Sequence, residues 1–282
     1  MRKYLESDLR KIRQIRCFLL DMDGTVFLGN HLLPGAVEFI EYLENGGIPF
    51  YFLTNNSSRS KRDYVDKLNR MGLCITQERV FSSGEATALY LKKTMPSARL
   101  FIVGTDSLIE EFRQYGFEID ENQPEAVVLG FDTTLTYSKL WKLCNYVRLG
   151  LPYIATHPDI NCPTENGSMP DIGAMIAFVQ ASTTRLPDVI IGKPNPPIVE
   201  IVSEKSGLPL ENTAMIGDRL YTDIALGRAG ITTILVLTGE TKLEDVEGSP
   251  YKPDVIVESL LDLYNFFVQN NGEKNGLNHH HD

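Results

Sequence analysis

Two acids one residue apart stand where an apolar run stops. Asp21-Met22-Asp23-Gly24-Thr25 directly follows Cys17-Phe18-Leu19-Leu20. A run of this kind, closed by acids and a glycine, predicts a buried strand ending in a tight loop. In open α/β sheets ligands bind at the carboxyl ends of strands, which is where these carboxylates fall. The pair suits a hard cation and an oxygen nucleophile, and so points to metal-dependent phosphoryl transfer. Asp-x-Asp-Gly also opens an EF-hand loop. That loop needs an acid at its twelfth position, here Leu32, and a helix rather than a strand before it.

Three more strand-then-polar junctions follow. Phe50-Tyr51-Phe52-Leu53 runs into Thr54-Asn55-Asn56-Ser57-Ser58, Val189-Ile190-Ile191 into Gly192-Lys193-Pro194-Asn195-Pro196, and Ala214-Met215-Ile216 into Gly217-Asp218-Arg219-Leu220-Tyr221-Thr222-Asp223. Singly each has an ordinary explanation. Thr54 can cap a helix beginning near Ser58, Lys193 can be a solvated loop lysine, and Asp218 can be an N-cap. Together the four junctions supply a nucleophile, a hydroxyl with backbone amides, an ammonium and further acids.

In order and character these segments resemble the motifs of the haloacid dehalogenase (HAD) phosphatase superfamily. The finer wording resembles its subfamily IIA, the NagD-like and 4-nitrophenylphosphatase-like hydrolases. That narrower match rests on Asp21 to Thr25, Leu33-Pro34-Gly35-Ala36, Thr54 to Ser60, Phe81-Ser82-Ser83-Gly84-Glu85, Ile191 to Pro196 and Gly217 to Asp223. The similarity extends over residues 14 to 268, roughly.

The resemblance implies a Mg2+-dependent phosphatase that hydrolyses small-molecule phosphate monoesters through an aspartyl-phosphate. Asp21 would be the nucleophile. Asp23 would be the general acid and then base, offering the metal only its backbone carbonyl. Asp218 would complete the protein ligands, and Asp223 would orient a metal-bound water. Thr54, the Asn55 amide and Lys193 would hold the phosphoryl oxygens. Thr25 to His31 would form a small hairpin beside the site, turning at Gly29-Asn30. A phosphomutase of the same superfamily, or a catalytically silent binding protein on the same fold, would carry the same motifs. A haloacid dehalogenase would not need Asp23 or the metal acids, and a signalling receiver domain is less than half this length.

Strand-like and helix-like segments alternate almost throughout, which predicts an α/β fold with a doubly wound, Rossmann-like parallel sheet. Helical periodicity marks Val37 to Leu43, Arg62 to Met71, Thr87 to Lys93, Leu108 to Tyr115, Leu140 to Leu149, Met175 to Ala181 and Ile198 to Ser206. The long interval between the second and third junctions has an alternation of its own, Leu100 to Val103, Ala126 to Leu129 and Tyr153 to Ala155 among helices. A single crossover needs far less chain, so an inserted domain is expected. We place an α/β cap at 83–187, the HAD-like core at 1–82 and 188–270, and a disordered tail at 271–282.

Substrate choice is expected to rest with the cap. Its longest polar, irregular stretch runs from His157 to Gly173 and holds Asp159, Glu165 and Asp171 with no Lys or Arg. His157, Asp159 and Asp171 are the candidate substrate-facing residues there. A second anionic group on a substrate would find little help from such a loop.

Composition agrees with an ordinary globular enzyme, with 43% hydrophobic and 23% charged residues. A net charge of −10 argues against a nucleic-acid polymer as partner. No apolar stretch suits a signal peptide or a bilayer span, so no membrane association and a cytoplasmic setting are expected. Cys17, Cys74, Cys144 and Cys162 lack metal-type spacing and read as reduced, mostly core thiols. The expected partner is a small phosphomonoester, with a homodimer left open. His279-His280-His281, at the terminus, reads as incidental rather than as a metal site.

Overall fold

The computed structural model describes residues 10–164 and 166–276. Residues 1–9, Glu165 and residues 277–282, with His279 to His281, lie outside the described residues. Contacts group the chain into two compact units, one of Met1–Phe52, Lys67–Arg79 and Ser206–Asp282, the other of Leu53–Asp66 and Val80–Lys205.

The elements begin with β1 (Cys17–Leu20), the hairpin β2 (Phe27–Leu28) and β3 (His31–Leu32), α1 (Ala36–Asn45), β4 (Phe50–Thr54) and α2 (Lys61–Arg70). They continue with β5 (Val80–Ser82), α3 (Ser83–Thr94), β6 (Leu100–Val103), α4 (Asp106–Gln114), β7 (Ala126–Leu129), α5 (Tyr137–Arg148) and β8 (Tyr153–Ala155). Next come the hairpin β9 (Asn161–Thr164) and β10 (Gly167–Pro170), α6 (Ile172–Thr183), β11 (Val189–Ile190) and α7 (Pro196–Ser206). The chain closes with β12 (Thr213–Gly217), β13 (Thr232–Val236), α8 (Leu243–Gly248), β14 (Val255–Val257) and α9 (Leu260–Gly276). The seven helices expected from periodicity are all present, each longer or shifted by a few residues.

One sheet has six strands in the order β14-β13-β12-β1-β4-β5, and its pairings from β14 through β4 are parallel. Chain order runs outward in one direction from β1 and in the other from β12. The β1/β12 boundary is therefore the topological switch point, the place where doubly wound sheets bind ligands. β1 is buried along its whole length, as a strand covered on both faces must be. Phe18 meets the edges of Phe39 and Phe267 at 5.5 and 5.7 Å, joining β1 to α1 and α9.

The second sheet is four-stranded and parallel, in the order β11-β8-β7-β6. Its core is Phe101, Val127, Leu129 and Tyr153, packed with Leu143, Cys144 and Val147 of α5 and Ile172, Ile176 and Val179 of α6. Those helical spacings put each set on one face. β11 is short, yet it pairs with β8, so Lys193 follows the edge strand of this second sheet.

Two local expectations change. His157 to Gly173 is not irregular throughout, because β9 and β10 pair within it as an antiparallel hairpin. Both strands are largely exposed, so no apolar alternation announces them. Among the thiols, Cys17 and Cys144 are buried, Cys162 is half-buried and Cys74 is exposed, and all four are free. Among the described residues no helix is long and apolar enough to cross a membrane.

Candidate active site

In the first unit the register of β1 against β12 sets the acids. Leu20 pairs with Ile216, and the Asp21 amide donates to the Ile216 carbonyl at 2.9 Å. Asp21 and Asp218 thus leave adjacent strands at the same edge. Carboxylate oxygens of Asp21, Asp218 and Asp223 lie within 4.8 Å of one another, with Asp218 and Asp223 buried and Asp21 half-buried. Gly24, at φ +83°, passes so close that a Cβ there would sit 2.4 Å from Asp218 Oδ2. The turn that follows leads into the β2–β3 hairpin, where Leu28 pairs with His31 around Gly29 and Asn30.

Two buried acids beside a half-buried third need compensation. Asp223 Oδ2 accepts from the Arg219 amide at 3.2 Å, and Asp218 Oδ2 from the Glu240 amide at 2.8 Å. Asp218 Oδ1 is buried with no hydrogen-bond partner among the described residues. Burial first, then the charges of Asp21 and Asp223, raises the Asp218 pKa well above the usual carboxylate range. A buried carboxyl oxygen without a donor, facing two more carboxyl groups, is the arrangement a cation completes. An all-oxygen set suits a hard divalent ion. The site therefore fits a metal.

Asp23 stands at the exposed rim of the same strand end. Its pKa is raised, first by partial desolvation and then by Asp21, with Arg219 and Lys67 pulling the other way. A raised pKa favours a held proton on Asp23, which an acid beside a nucleophile requires.

Arg219 and the segment after β13 are part of this site and were not singled out from the sequence. Arg219 Nε lies 3.0 Å from Glu240 Oε2, and the Tyr221 hydroxyl donates to Glu240 Oε1 at 2.7 Å. Burial works against the Arg219 charge, but Asp21, Tyr221, Asp218 and Glu240 outweigh it and raise the pKa. Thr238 Oγ1 donates to the Gly24 carbonyl at 2.8 Å, and a Cβ on Gly239 would fall 2.0 Å from Asp218 Oδ2. The signal was present as a fifth strand-then-polar junction, Ile234 to Leu237 followed by Thr238-Gly239-Glu240-Thr241.

In the second unit Thr54, Asn55, Lys193, His157, Asp159 and Asp171 come together. Thr54 ends β4, is buried, and accepts from the Asn56 amide at 3.1 Å. Lys193 is only 3% exposed, and its Nζ donates to the Leu53 carbonyl at 3.2 Å. The Asn55 carboxamide bonds both backbone groups of Lys193 at 2.8 Å, Oδ1 accepting from N–H and Nδ2 donating to the carbonyl. Asp159 accepts from the same Nδ2. Its pKa is raised, first by desolvation and then by Asp171, against His157 and Lys193. His157 and Asp171 are buried and paired, with 2.8 Å between Nε2 and Oδ1.

Comparison with known proteins agrees with this architecture. The profile of the haloacid dehalogenase-like hydrolases matches residues 18–118, and an HAD-hydrolase-like profile matches residues 190–263. The chain is 35% identical to the 5′-nucleotidase YutF of Bacillus subtilis over 246 residues, 87% of this chain and 96% of that protein. The crystal structure of a 4-nitrophenylphosphatase from Thermotoga maritima superposes with a TM-score of 0.87 and 51% identity, covering 90% of this chain and 98% of that one. NagD of Escherichia coli K-12 gives 0.82 and 31%, covering 88% and 97%. The chain belongs to the haloacid dehalogenase-like hydrolases, in their NagD and 4-nitrophenylphosphatase-like subfamily, and is a phosphomonoesterase.

Proposed function

We propose that the chain hydrolyses small phosphate monoesters with Mg2+ through an aspartyl-phosphate on Asp21. The observation that carries this reading is the Asp21, Asp218 and Asp223 cluster at the switch point, with its orphaned Asp218 oxygen.

Asp21 is a weak nucleophile, but as a carboxylate it needs no base to activate it. Its oxygen attacks phosphorus in line, the bond from phosphorus to the leaving oxygen breaks, and an acyl phosphate forms. Asp23, whose raised pKa favours a held proton, gives that proton to the leaving oxygen. It then takes a proton from the water that attacks the acyl phosphate, releasing inorganic phosphate and restoring the Asp21 carboxylate. Thr54, the Asn55 amide and Lys193 hold the phosphoryl oxygens and offset their charge. Asp21, Asp218 and the Asp23 carbonyl would hold the cation, with Asp223 behind them, and the bound ion would neutralise charge on the transferring group and keep Asp21 ionised.

The B. subtilis relative is named for nucleotide 5′-phosphates and the T. maritima one for an aryl phosphate. We infer a small-ester substrate of that general class, to be identified by a phosphate-release screen across nucleotides, sugar phosphates and aryl phosphates. Chelation with EDTA is expected to abolish turnover and added Mg2+ to restore it. Asp21→Asn is expected to lower kcat by about four to six orders of magnitude with the fold intact, as loss of a nucleophile does elsewhere. Full turnover in EDTA or in that variant would refute the mechanism.

A further inference from the structure

Asp159 and Asp171 stand in the sequence as charges facing a substrate. In the folded unit both carboxylates turn inward. Asp171 Oδ1 accepts from His157 Nε2 at 2.8 Å and from the Ile172 amide at 2.6 Å. Asp159 places its two oxygens 3.3 and 3.4 Å from Asn55 Nδ2. Backbone bonds tie the two segments into a block, Gly173 N–H to the Asp159 carbonyl at 2.7 Å and Asp171 N–H to the Ile160 carbonyl at 2.9 Å.

Behind this block runs a chain of buried hydroxyls. The Phe131 amide donates to Ser57 Oγ at 2.9 Å, Ser57 Oγ lies 3.0 Å from Thr156 Oγ1, and Thr156 Oγ1 lies 3.1 Å from His157 Nδ1. Asp171 as a carboxylate can only accept, so His157 Nε2 carries a proton. One ordering then gives every donor an acceptor, with Ser57 donating to Thr156, Thr156 to Nδ1 and Nε2–H to Asp171. The reverse leaves the Ser57 hydroxyl proton without one. Ser83 Oγ, beside His157 Nδ1, donates to the Asn55 carbonyl.

Asp159, held in this block, meets the Asn55 carboxamide. That group has one accepting end and one donating end. As placed, Oδ1 faces the Lys193 N–H, while Nδ2 faces the Lys193 carbonyl and the Asp159 carboxylate. Turned over, its oxygen would confront a carbonyl and a carboxylate, and its NH2 would confront an N–H. Gly192 leaves the room for this contact, since a Cβ there would lie 2.6 Å from Asn55 Oδ1.

We propose that Asp159, braced by the His157–Asp171 pair, is a positioning residue that holds the Asn55 carboxamide in the one orientation that clamps the Lys193 backbone. The inference rests on the proposed role of Thr54, Asn55 and Lys193 in holding the phosphoryl group. Asp159 acts through Asn55 and does not meet the substrate.

The test is inhibition by inorganic phosphate, which has no leaving group, measured on the full chain with Mg2+ beside steady-state kinetics. Asp159→Ala leaves an Asn55 N–H without its acceptor and is expected to raise the phosphate inhibition constant about tenfold. Asp159→Asn keeps a carbonyl acceptor there and is expected to stay within about threefold of wild type. Combined with Asn55→Ala, the Asp159→Ala change should add nothing further. The ratio of kcat/KM for phosphoglycolate to that for a neutral sugar phosphate should not move in any of them. An unchanged inhibition constant in Asp159→Ala, full additivity with Asn55→Ala, or a ratio shifted about tenfold by Asp159→Asn overturns the proposal, the last because it puts the charge against the substrate. If Asp159→Ala does not fold, Asp159→Ser, too short to reach Nδ2, carries the same expectations. Lys193→Ala separates the two levels. If it leaves phosphate inhibition at the wild-type value, the phosphoryl-holding reading fails. If it weakens inhibition while Asp159→Ala does not, only the positioning role fails.

Discussion

Asp218→Asn should make the metal-free protein more stable while removing its response to the metal. Asp21, Asp218 and Asp223 bring carboxylate oxygens within 4.8 Å of each other. At an effective dielectric of about 20, two full charges that close repel by about 3.5 kcal/mol. Asp218 takes part in two such pairs. Part of that cost is already relieved, because burial and the two neighbouring charges raise its pKa and so favour a bound proton. The asparagine carbonyl can still accept from the Glu240 amide, so little is lost in exchange. A net gain of about 2 to 3 kcal/mol is expected, or roughly 4 to 10 °C in Tm for a chain of this size.

The sign follows from the direction of the shift. The folded Asp218 binds its proton more tightly than the unfolded one, so the penalty is absent below the ordinary carboxylate pKa and grows as pH rises through the folded value. The variant's advantage is therefore largest near pH 7 to 8 and fades toward pH 4. The assay is thermal unfolding in EDTA across that range, repeated with Mg2+. The wild type should gain stability with Mg2+, by about 2.7 kcal/mol at a hundredfold excess over Kd, and the variant should gain little. An Asp218→Asn protein that is no more stable than wild type in EDTA, yet is still stabilised by Mg2+, would refute the reasoning.

Asp23→Asn is expected to slow alkyl phosphates far more than 4-nitrophenyl phosphate, since nitrophenolate leaves with little need of a proton. Equal losses for both, with chemistry limiting, would remove Asp23 from the acid role. A second titration lies in the other unit, where burial and then Glu85 push Glu111 up to about 7, against Lys61 and Lys205. Glu111 thus adds stability below the ordinary Glu range that is lost as pH rises through about 7. Glu111→Gln should flatten the fall in Tm between pH 5 and 8, and an unchanged slope would count against that assignment.

The acids of the first unit were legible because strand, stop and turn are local chemistry. Cys17 to Leu20 is apolar without interruption, Gly24 marks the turn, and the next residues must lie at a strand end. The seven marked helices were legible for a similar reason, each carrying an apolar face at helical spacing. The Thr238 to Thr241 loop offered the same kind of junction, but it lacks an acid pair to attract attention, and its contact with Asp218 Oδ2 is made by a backbone amide, that of Glu240. Asp159 shows a different limit. A loop acid turns inward or outward according to what the fold brings beside it, and its partner Asn55 lies 104 residues away in sequence. The β9–β10 hairpin escaped because strands exposed on both faces have no apolar period.

The central claim is that the phosphoryl group passes through Asp21. Mixing enzyme, Mg2+ and a fast aryl phosphate, quenching in acid within the first turnover, and mapping the phosphorylated peptide by mass spectrometry tests it most directly. The account expects a hydroxylamine-sensitive acyl phosphate on Asp21, absent from Asp21→Asn and longer-lived in Asp23→Asn, where the base for hydrolysis is gone. A phosphoryl group on another residue, or phosphate release from an active enzyme whose Asp21 is never phosphorylated, would contradict it.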